Sequence, residues 1–504
     1  MGAGVLECAE KLPRTLLSTS KYPSLARIWR KHRYILPSVL VSVFVCAWFV
    51  TWGDWDFFAR ESFCKFYDAQ ADSLTHGRLD VPPDAIGFEA YVFAGKTYGY
   101  FGIGPALLRL PFALLLGDLG GLSARAMMMI ACIGNIICAY GILRTVRRNA
   151  APSSRWPARL HSLFIICAGI GSTNVFLMSR SFVFHEATMW GGVFALAWAW
   201  ALIRYFQIGQ QRLLALACCF AFLSFHSRPT AGAGTLLGLA IVGAILIRQR
   251  AQQNLAEIQK LPSRVWPQVL IVGTALLATV FTYFAVNYAK FRTVNGIPVR
   301  YYQLYVQNPD RMRVTGGRQL HPENIATCLS NYFGCRGLRV GVDFPWLLMN
   351  DQAQVVGSPA LDVVEPFSSF AVSMPALSCV ALIGVVAIFR GSIPGARQAR
   401  IPALALLAGG SIVLMTVGIT ERYLHDFYPV LIVSAAVGIS CLELSRHLRK
   451  ATVIIAMLTM FSVMANCSFA LVFQRAAPWG VPENKRAEFA AWQRAVGACL
   501  NQPK

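Results

Sequence analysis

Long apolar runs broken by short polar connectors dominate the chain. Many are about 18–22 residues long and almost free of charge, the length that crosses a bilayer core as a helix. In lipid a helix satisfies its own backbone hydrogen bonds, so spanning helices are the expected form. The pattern predicts about 11 of them, at 35–53, 122–143, 160–178, 187–205, 213–226, 230–247, 267–288, 370–389, 401–419, 427–444 and 452–473. The fold class that follows is an all-α polytopic integral membrane protein. No cleavage site of small residues follows the first run, so 35–53 reads as the first span and not as a signal peptide.

Two connectors are too long to be simple turns, 53–121 and 289–369. Within the first, FYDAQADSLTHG has helical spacing and stops at Gly77. Residues 105–117 are apolar apart from Arg109 but too short to span, which fits a helix lying at the interface. The organisation expected is a segment 1–34, a membrane core 35–288 carrying the loop 53–121, a large loop 289–369, a second set of spans 370–474 and a tail 475–504.

Composition agrees with the pattern and adds a direction. Only 14% of residues are charged and 56% are hydrophobic, against about 25% charged in soluble domains. The net charge of +22 is unevenly spread and does not point to nucleic acid. The segments 1–34, 144–159, 206–212, 248–266, 390–400 and 445–451, with Arg204 and Glu443 at helix ends, hold 24 of the 46 Lys and Arg but 4 of the 24 Asp and Glu. Cytoplasmic loops carry such an excess of basic residues. The N-terminus is therefore expected in the cytoplasm, and both long loops and the tail outside.

The spans are nearly free of ionisable groups, whereas ion-coupled transporters usually keep such groups within the membrane. Polar chemistry gathers instead at exterior helix ends. One turn reads Ser179 to Ala187 and includes His185 and Glu186. A second is His226-Ser227-Arg228-Pro229, a third runs from Thr420 through Arg422, Tyr423 and Asp426 to Pro429, and Lys290 opens the second long loop. Each has a plainer explanation, since an acid suits a helix N-terminus and Arg or Lys can snorkel to headgroups. Cys328 and Cys335 enclose a short exterior loop and either bridge or stay free. No P-loop, dinucleotide fingerprint, HExxH or GxSxG is present, and no two histidines have metal-ligand spacing.

The first loop resembles that of the GT-C glycosyltransferases, membrane enzymes that take a sugar from a polyprenyl-phosphate donor, such as the protein O-mannosyltransferases and the lipid A aminoarabinose transferase. The resemblance runs over about 80 residues: Tyr67-Asp68-Ala69-Gln70-Ala71, then Leu74 and Gly77, then Gly104-Pro105-Ala106-Leu107-Leu108, then Gly121-Leu122-Ser123-Ala124-Arg125. The family's paired acid is a single Asp here, because Ala69 follows Asp68. The resemblance implies a GT-C-like fold and inverting transfer of a sugar to a glycan, lipid or protein acceptor. The setting implied is the exterior face of a bacterial inner membrane. It implies Asp68 as general base and Glu186 as second acid. Arg228, Arg422, Tyr423, Lys290, His185 and Tyr67 would surround the donor phosphate and substrate. A divalent metal ion would draw on Asp68, His185 and Glu186. Two other readings are a ligase or polymerase using diphosphate-linked glycans, and a lipid-linked sugar transporter or flippase.

The charge asymmetry makes a direct prediction. In a background without the native exposed cysteines, a cysteine at position 310 should react with an impermeant maleimide on intact cells, and one at position 255 only after lysis. The opposite labelling would invert the topology.

Overall fold

The computed structural model describes residues 32–148, 154–256, 265–478 and 480–500. The basic N-terminal segment before His32 lies outside them, as do residues 257–264 of the 248–266 connector. Among the described residues, eight helices are long and apolar enough to cross a membrane, and the chain is an integral membrane protein.

In chain order the main helices are α1 (Leu36–Val50), α2 (Phe66–Thr75), α3 (Gly104–Leu116), α4 (Ala124–Val146), α5 (Arg155–Gly169) and α6 (Thr173–Met178). Then come α7 (Val183–Ile208), α8 (Gln211–Ser227), α9 (Pro229–Ala256) and α10 (Val265–Phe291). The last five are α11 (Pro375–Arg390), α12 (Arg400–Ser411), α13 (Tyr428–Glu443), α14 (Leu448–Ala476) and α15 (Glu483–Leu500). Each of the eleven expected spans coincides with one or two of these. Three of them, α8, α11 and α12, have only 17, 16 and 12 residues and fall short of the crossing length. Arg228-Pro229 sets the end of α8, where the proline opens α9 instead. The two helices expected in the first long loop are present as α2 and α3. Helix α15, in a tail for which no helix was expected, docks through Arg475 to Glu488 at 2.7 Å and Gln493 Nε2 to the Phe344 carbonyl at 2.8 Å.

Helix α7 forms the centre and is buried almost throughout, whereas α10 turns Leu270, Leu277 and Phe281 outward, as a lipid-facing helix does. The third span breaks between α5 and α6. Carbonyls freed inside a membrane need partners, and side chains supply them. The Ala168 carbonyl accepts from Asn174 Nδ2 at 2.6 Å, Tyr428 OH at 2.8 Å and Ser172 Oγ at 3.1 Å, while Asn135 Nδ2 donates to Asn174 Oδ1 at 3.0 Å.

Small pieces of sheet tie the two long loops together. In the first loop β1 (Tyr91–Phe93) pairs antiparallel with β2 (Lys96–Tyr98) around Ala94 and Gly95. Both turn residues have positive φ, as a tight hairpin turn requires. In the second, β3 (Leu338–Val340) pairs with β4 (Leu347–Met349), and β5 (Val363–Val364) runs parallel to β6 (Gly418–Ile419) ahead of α13. Tyr91 also bridges to Tyr302, joining the first loop to the second.

Helices in lipid pack through small residues that let backbones approach. A Cβ at Gly384 of α11 would lie 1.7 Å from the Ser434 carbonyl oxygen of α13, and one at Gly438 2.1 Å from that of Val380. Gly384→Ala should therefore lower the thermal midpoint of the detergent-solubilised protein, by the ~1–3 kcal/mol typical of overpacking. Gly273→Ala, where nothing stands within 4 Å of the new carbon, should leave it in place. Equal midpoints would refute the close packing.

Candidate active site

The first-loop helices meet α7 around one buried cation. Pro105 lies in the first turn of α3, which buries Gly104, Pro105, Ala106, Arg109 and Ala113 against the core and turns Phe112, Leu114, Leu115 and Leu116 outward. Arg109 Nε donates to Asp68 Oδ1 at 2.8 Å, and its two terminal nitrogens donate to the Glu186 carboxylate at 2.6 and 3.1 Å. All three side chains are at most 2% exposed. Asp68 is further held by Ser123 Oγ and by the backbone N–H groups of Gly121 at 2.9 Å and Ser123 at 3.3 Å. Gly121 has a φ of +94°, and a Cβ there would strike Cys64 Sγ at 2.5 Å. Burial works against the Arg109 charge, but the Glu186 and Asp68 carboxylates outweigh it and hold its pKa above the ordinary value. Tyr67 lies beneath the guanidinium at 5.6 Å from the ring centre, and burial drives its phenol well above the usual range.

Beside this cluster lies a cavity of about 1010 Å³. Phe101, Gly102 and Ile103, just before α3, line it, as do Phe184 and Ala187, which flank the His185-Glu186 pair. Apolar wall comes from Phe225, Val286, Ile412 and Val472, and the polar wall from the turns at Arg228 and Arg422. The approach is close: a Cβ on Gly102 would meet the His226 carbonyl at 2.0 Å, and one on Gly191 would meet Arg228 Cβ at 2.3 Å. Arg228 forms a two-point pair with Asp426 at 3.1 and 2.7 Å. Arg422 pairs with Glu365, which also accepts from Thr420 Oγ1 at 2.8 Å. The Tyr423 ring sits 5.4 Å from the Arg228 guanidinium and 5.5 Å from that of Arg422. Lys290 is buried, and its Nζ donates to the Gly99 carbonyl at 3.0 Å.

The expected residues thus divide into two sets. Arg228, Arg422, Tyr423 and Lys290 converge on the cavity. Asp68, Tyr67, His185 and Glu186 lie behind its wall. Asp68 was expected to act as the general base toward an acceptor. Its partner is instead Arg109, and Lys65 reaches Asp84 at 2.7 Å. Both Asp68 oxygens are taken by the cluster, so neither is turned to the cavity. Glu89, Glu365 and Tyr302 line the cavity without having been singled out beforehand. Arg109 had a visible signal, as the single charge in an apolar helix. Glu89 had none, because its setting is made by a loop about two hundred residues downstream.

The three residues considered for a divalent metal do not form a site for one. The carboxylates of Asp68 and Glu186 both face Arg109, and His185 Nδ1 faces the carbonyls of Leu177 and Arg180 at 3.0 Å each. Among the described residues no group of three or more His, Cys, Asp or Glu could hold a metal ion. Cys328 and Cys335 are both free thiols, the first buried in the helix Ile325–Phe333 and the second exposed beyond its end.

No protein-family model matches the chain, and no curated protein matches it by sequence. Solved structures do resemble it. The Archaeoglobus fulgidus oligosaccharyltransferase in its apo form shares 14% identity at a TM-score of 0.49, over 92% of this chain and 60% of that one. The same organism's oligosaccharyltransferase AglB, with an inhibitory peptide and a dolichol-phosphate, gives 13%, 0.45, 92% and 60%. ArnT from Cupriavidus metallidurans bound to undecaprenyl phosphate gives 12%, 0.43, 88% and 77%. The chain spans about 60% of the length of the archaeal oligosaccharyltransferase chains.

The buried cluster predicts an asymmetric response. Arg109→Met leaves two carboxylates buried without their cation and should cost about 3–5 kcal/mol, the range for breaking a buried pair. The triple variant Arg109→Met, Asp68→Asn, Glu186→Gln should recover much of that loss. Thermal unfolding in detergent measures both, and equal stability of the single variant and the parent would show that the cluster carries no weight.

Proposed function

We propose that the protein is a membrane glycosyltransferase. It moves a sugar from a polyprenyl-phosphate donor to a glycan, lipid or protein acceptor, on the face of the membrane that carries the two long loops. The observation behind this reading is the cavity at the ends of the spans. One side of it is apolar, and the other sets Arg228, Tyr423, Arg422 and Lys290 around a single space. A lipid phosphate fits such a place, with its chain left in the bilayer. The first-loop resemblance to GT-C enzymes points to the same class. In this reading the loop face is exterior, and the membrane is the bacterial inner membrane.

The chemistry follows from the placement of the charges. Arg228 gives Nε and one terminal nitrogen to Asp426 and keeps the other for a ligand. Guanidinium groups stay charged and bind phosphate through paired N–H donors. Lys290 adds a point charge that no carboxylate neutralises among the described residues. As the bond from the anomeric carbon to the phosphate oxygen breaks, these groups stabilise the growing negative charge. The acceptor hydroxyl attacks from the opposite side, which inverts the anomeric centre. Asp68 and Glu186 take a positioning role here. They lock Arg109, and through it α3 and α7, whose neighbouring residues form the cavity wall.

A transporter would need a polar path through the spans. The cavity and its ionisable residues lie instead at span ends and in the long loops, so transfer at the surface is favoured over passage across it.

Arg228→Ala, Arg422→Ala and Lys290→Ala should each reduce transfer from a polyprenyl monophosphate sugar by about 1.5–3 kcal/mol in kcat/KM, the range for a charged hydrogen bond. Reconstitution in liposomes with purified protein measures this. Unchanged kinetics in all three would leave these side chains as headgroup contacts and remove the reading.

A further inference from the structure

Most charges around the cavity are already matched. Arg228 faces Asp426, Arg422 faces Glu365, Arg311 faces Asp362 at 3.2 Å, and Arg339 faces Asp351. Among the described residues, two of the Asp, Glu, Lys and Arg side chains on its wall have no oppositely charged partner in contact. One is Lys290, on the Gly99 carbonyl. The other is Glu89.

Glu89 is held for a purpose that packing does not explain. It ends the 3-10 turn Gly87–Glu89, immediately before β1. Ala90 accepts from the Gln303 N–H at 2.9 Å, and Tyr91 stacks on Tyr302 with ring centres 4.7 Å apart and planes 8° apart. These contacts lock the first loop to the second at this point. The Tyr302 hydroxyl then donates to Glu89 Oε2 at 2.7 Å, and it is the one hydrogen-bond donor to this carboxylate among the described residues. A carboxylate recessed in a cavity, fixed by one hydroxyl and free of an ion-pair partner, has acceptor capacity left for a ligand. Asp68 has none turned that way.

We propose that Glu89 is the general base of the reaction, the residue that accepts the proton of the acceptor hydroxyl. This rests on the glycosyltransferase reading above. The acceptor oxygen forms a bond to the anomeric carbon and gives its proton to the free oxygen of Glu89. The bond from that carbon to the phosphate oxygen breaks, and its electron pair stays on the polyprenyl phosphate. Nothing is oxidised or reduced, and no further reactant is needed. A base works best with a pKa near the working pH, and burial does push the Glu89 carboxyl above its ordinary value. The Tyr302 hydrogen bond and the charges of Arg422 and Arg311 act against that rise, and Glu365 adds to it.

The test uses the full-length protein in liposomes, a panel of radiolabelled undecaprenyl monophosphate hexoses and pentoses, and membranes of the native organism as acceptor source. Binding of undecaprenyl phosphate is followed separately by thermal shift. Glu89→Gln should bind that lipid as the parent does and transfer sugar about 100- to 10,000-fold more slowly. Tyr302→Phe removes a hydrogen bond that favours the carboxylate, so the acidic limb of its rate profile should move to higher pH. Near-normal transfer by Glu89→Gln would overturn the proposal. So would an acidic limb that stays in place in Tyr302→Phe, because the titrating base would then be another group. Both of these outcomes leave the glycosyltransferase reading intact. Absence of transfer by the parent from every donor would instead remove that reading, and this proposal with it.

Discussion

The architecture around the cavity depends on one guanidinium. Arg109 is the point at which the first-loop helices are fastened to the membrane core. It comes from a helix too short to span, and it is shared by carboxylates from two other helices. Asp68 in turn orders the turn that opens α4, through two N–H groups and the Ser123 hydroxyl. Four helices therefore meet at a group that cannot leave without stranding charge. Taking a charge out of water costs several kcal/mol, so such a cluster forms only when every member is in place. That requirement sets the register of α2 and α3 against α7 more sharply than apolar contact would, because Leu107, Leu108 and Leu110 could exchange places with little loss.

The same rule sorts the charges of the cavity. In a recess between apolar helices, an arginine is held by a carboxylate or by a ligand. Arg228 and Arg422 are held by Asp426 and Glu365, which fixes their direction and keeps the empty site from being a concentrated positive field. Part of each guanidinium would remain for the proposed phosphate. Tyr423 lies between them and presents its ring to both, an attraction that survives in a medium of low dielectric. In the glycosyltransferase reading this surface suits an anion with its own hydrophobic tail, since a fully neutral pocket would hold it weakly and a strongly cationic one would release the lipid product slowly.

The span pattern was legible because each span is a long apolar run, and the turns at Arg228 and Arg422 were legible because polar and aromatic residues crowd two short connectors. The break after Gly169 was not, since Tyr428, which donates to the Ala168 carbonyl, and Asn135, which donates to Asn174, come from other helices. The partner of Asp68 was hidden in the same way. Its basic neighbour in the helix register is Lys65, one turn before it, while the contact is made with Arg109, 41 residues later. Loop residues were hidden most completely. The surroundings of Glu89 are supplied by Tyr302, 213 positions away, and no local pattern in the first loop announces that meeting. The helix α15 carries Phe489 and Trp492 toward the fold, but its charged residues masked it among tail sequence.

The placement of Glu89 also bears on how a site at a membrane surface can choose its acceptor. The donor side of the cavity is built from span ends, whose positions the bilayer and the Arg109 cluster hold. The side bearing Glu89 is built from two loops that meet at the Tyr91–Tyr302 stack and at the bond from the Gln303 N–H to the Ala90 carbonyl. A loop-built wall can vary in sequence without disturbing the helices behind it. In the glycosyltransferase reading, donor recognition would be tied to the physics of lipid and phosphate, and acceptor recognition to residues that a loop can exchange. In the same reading, an acceptor coming from the water would meet the second loop, which carries Tyr302, before its hydroxyl came near Glu89. The two ends of the proposed reaction are then separated in the fold, the donor on span ends and the acceptor on loops.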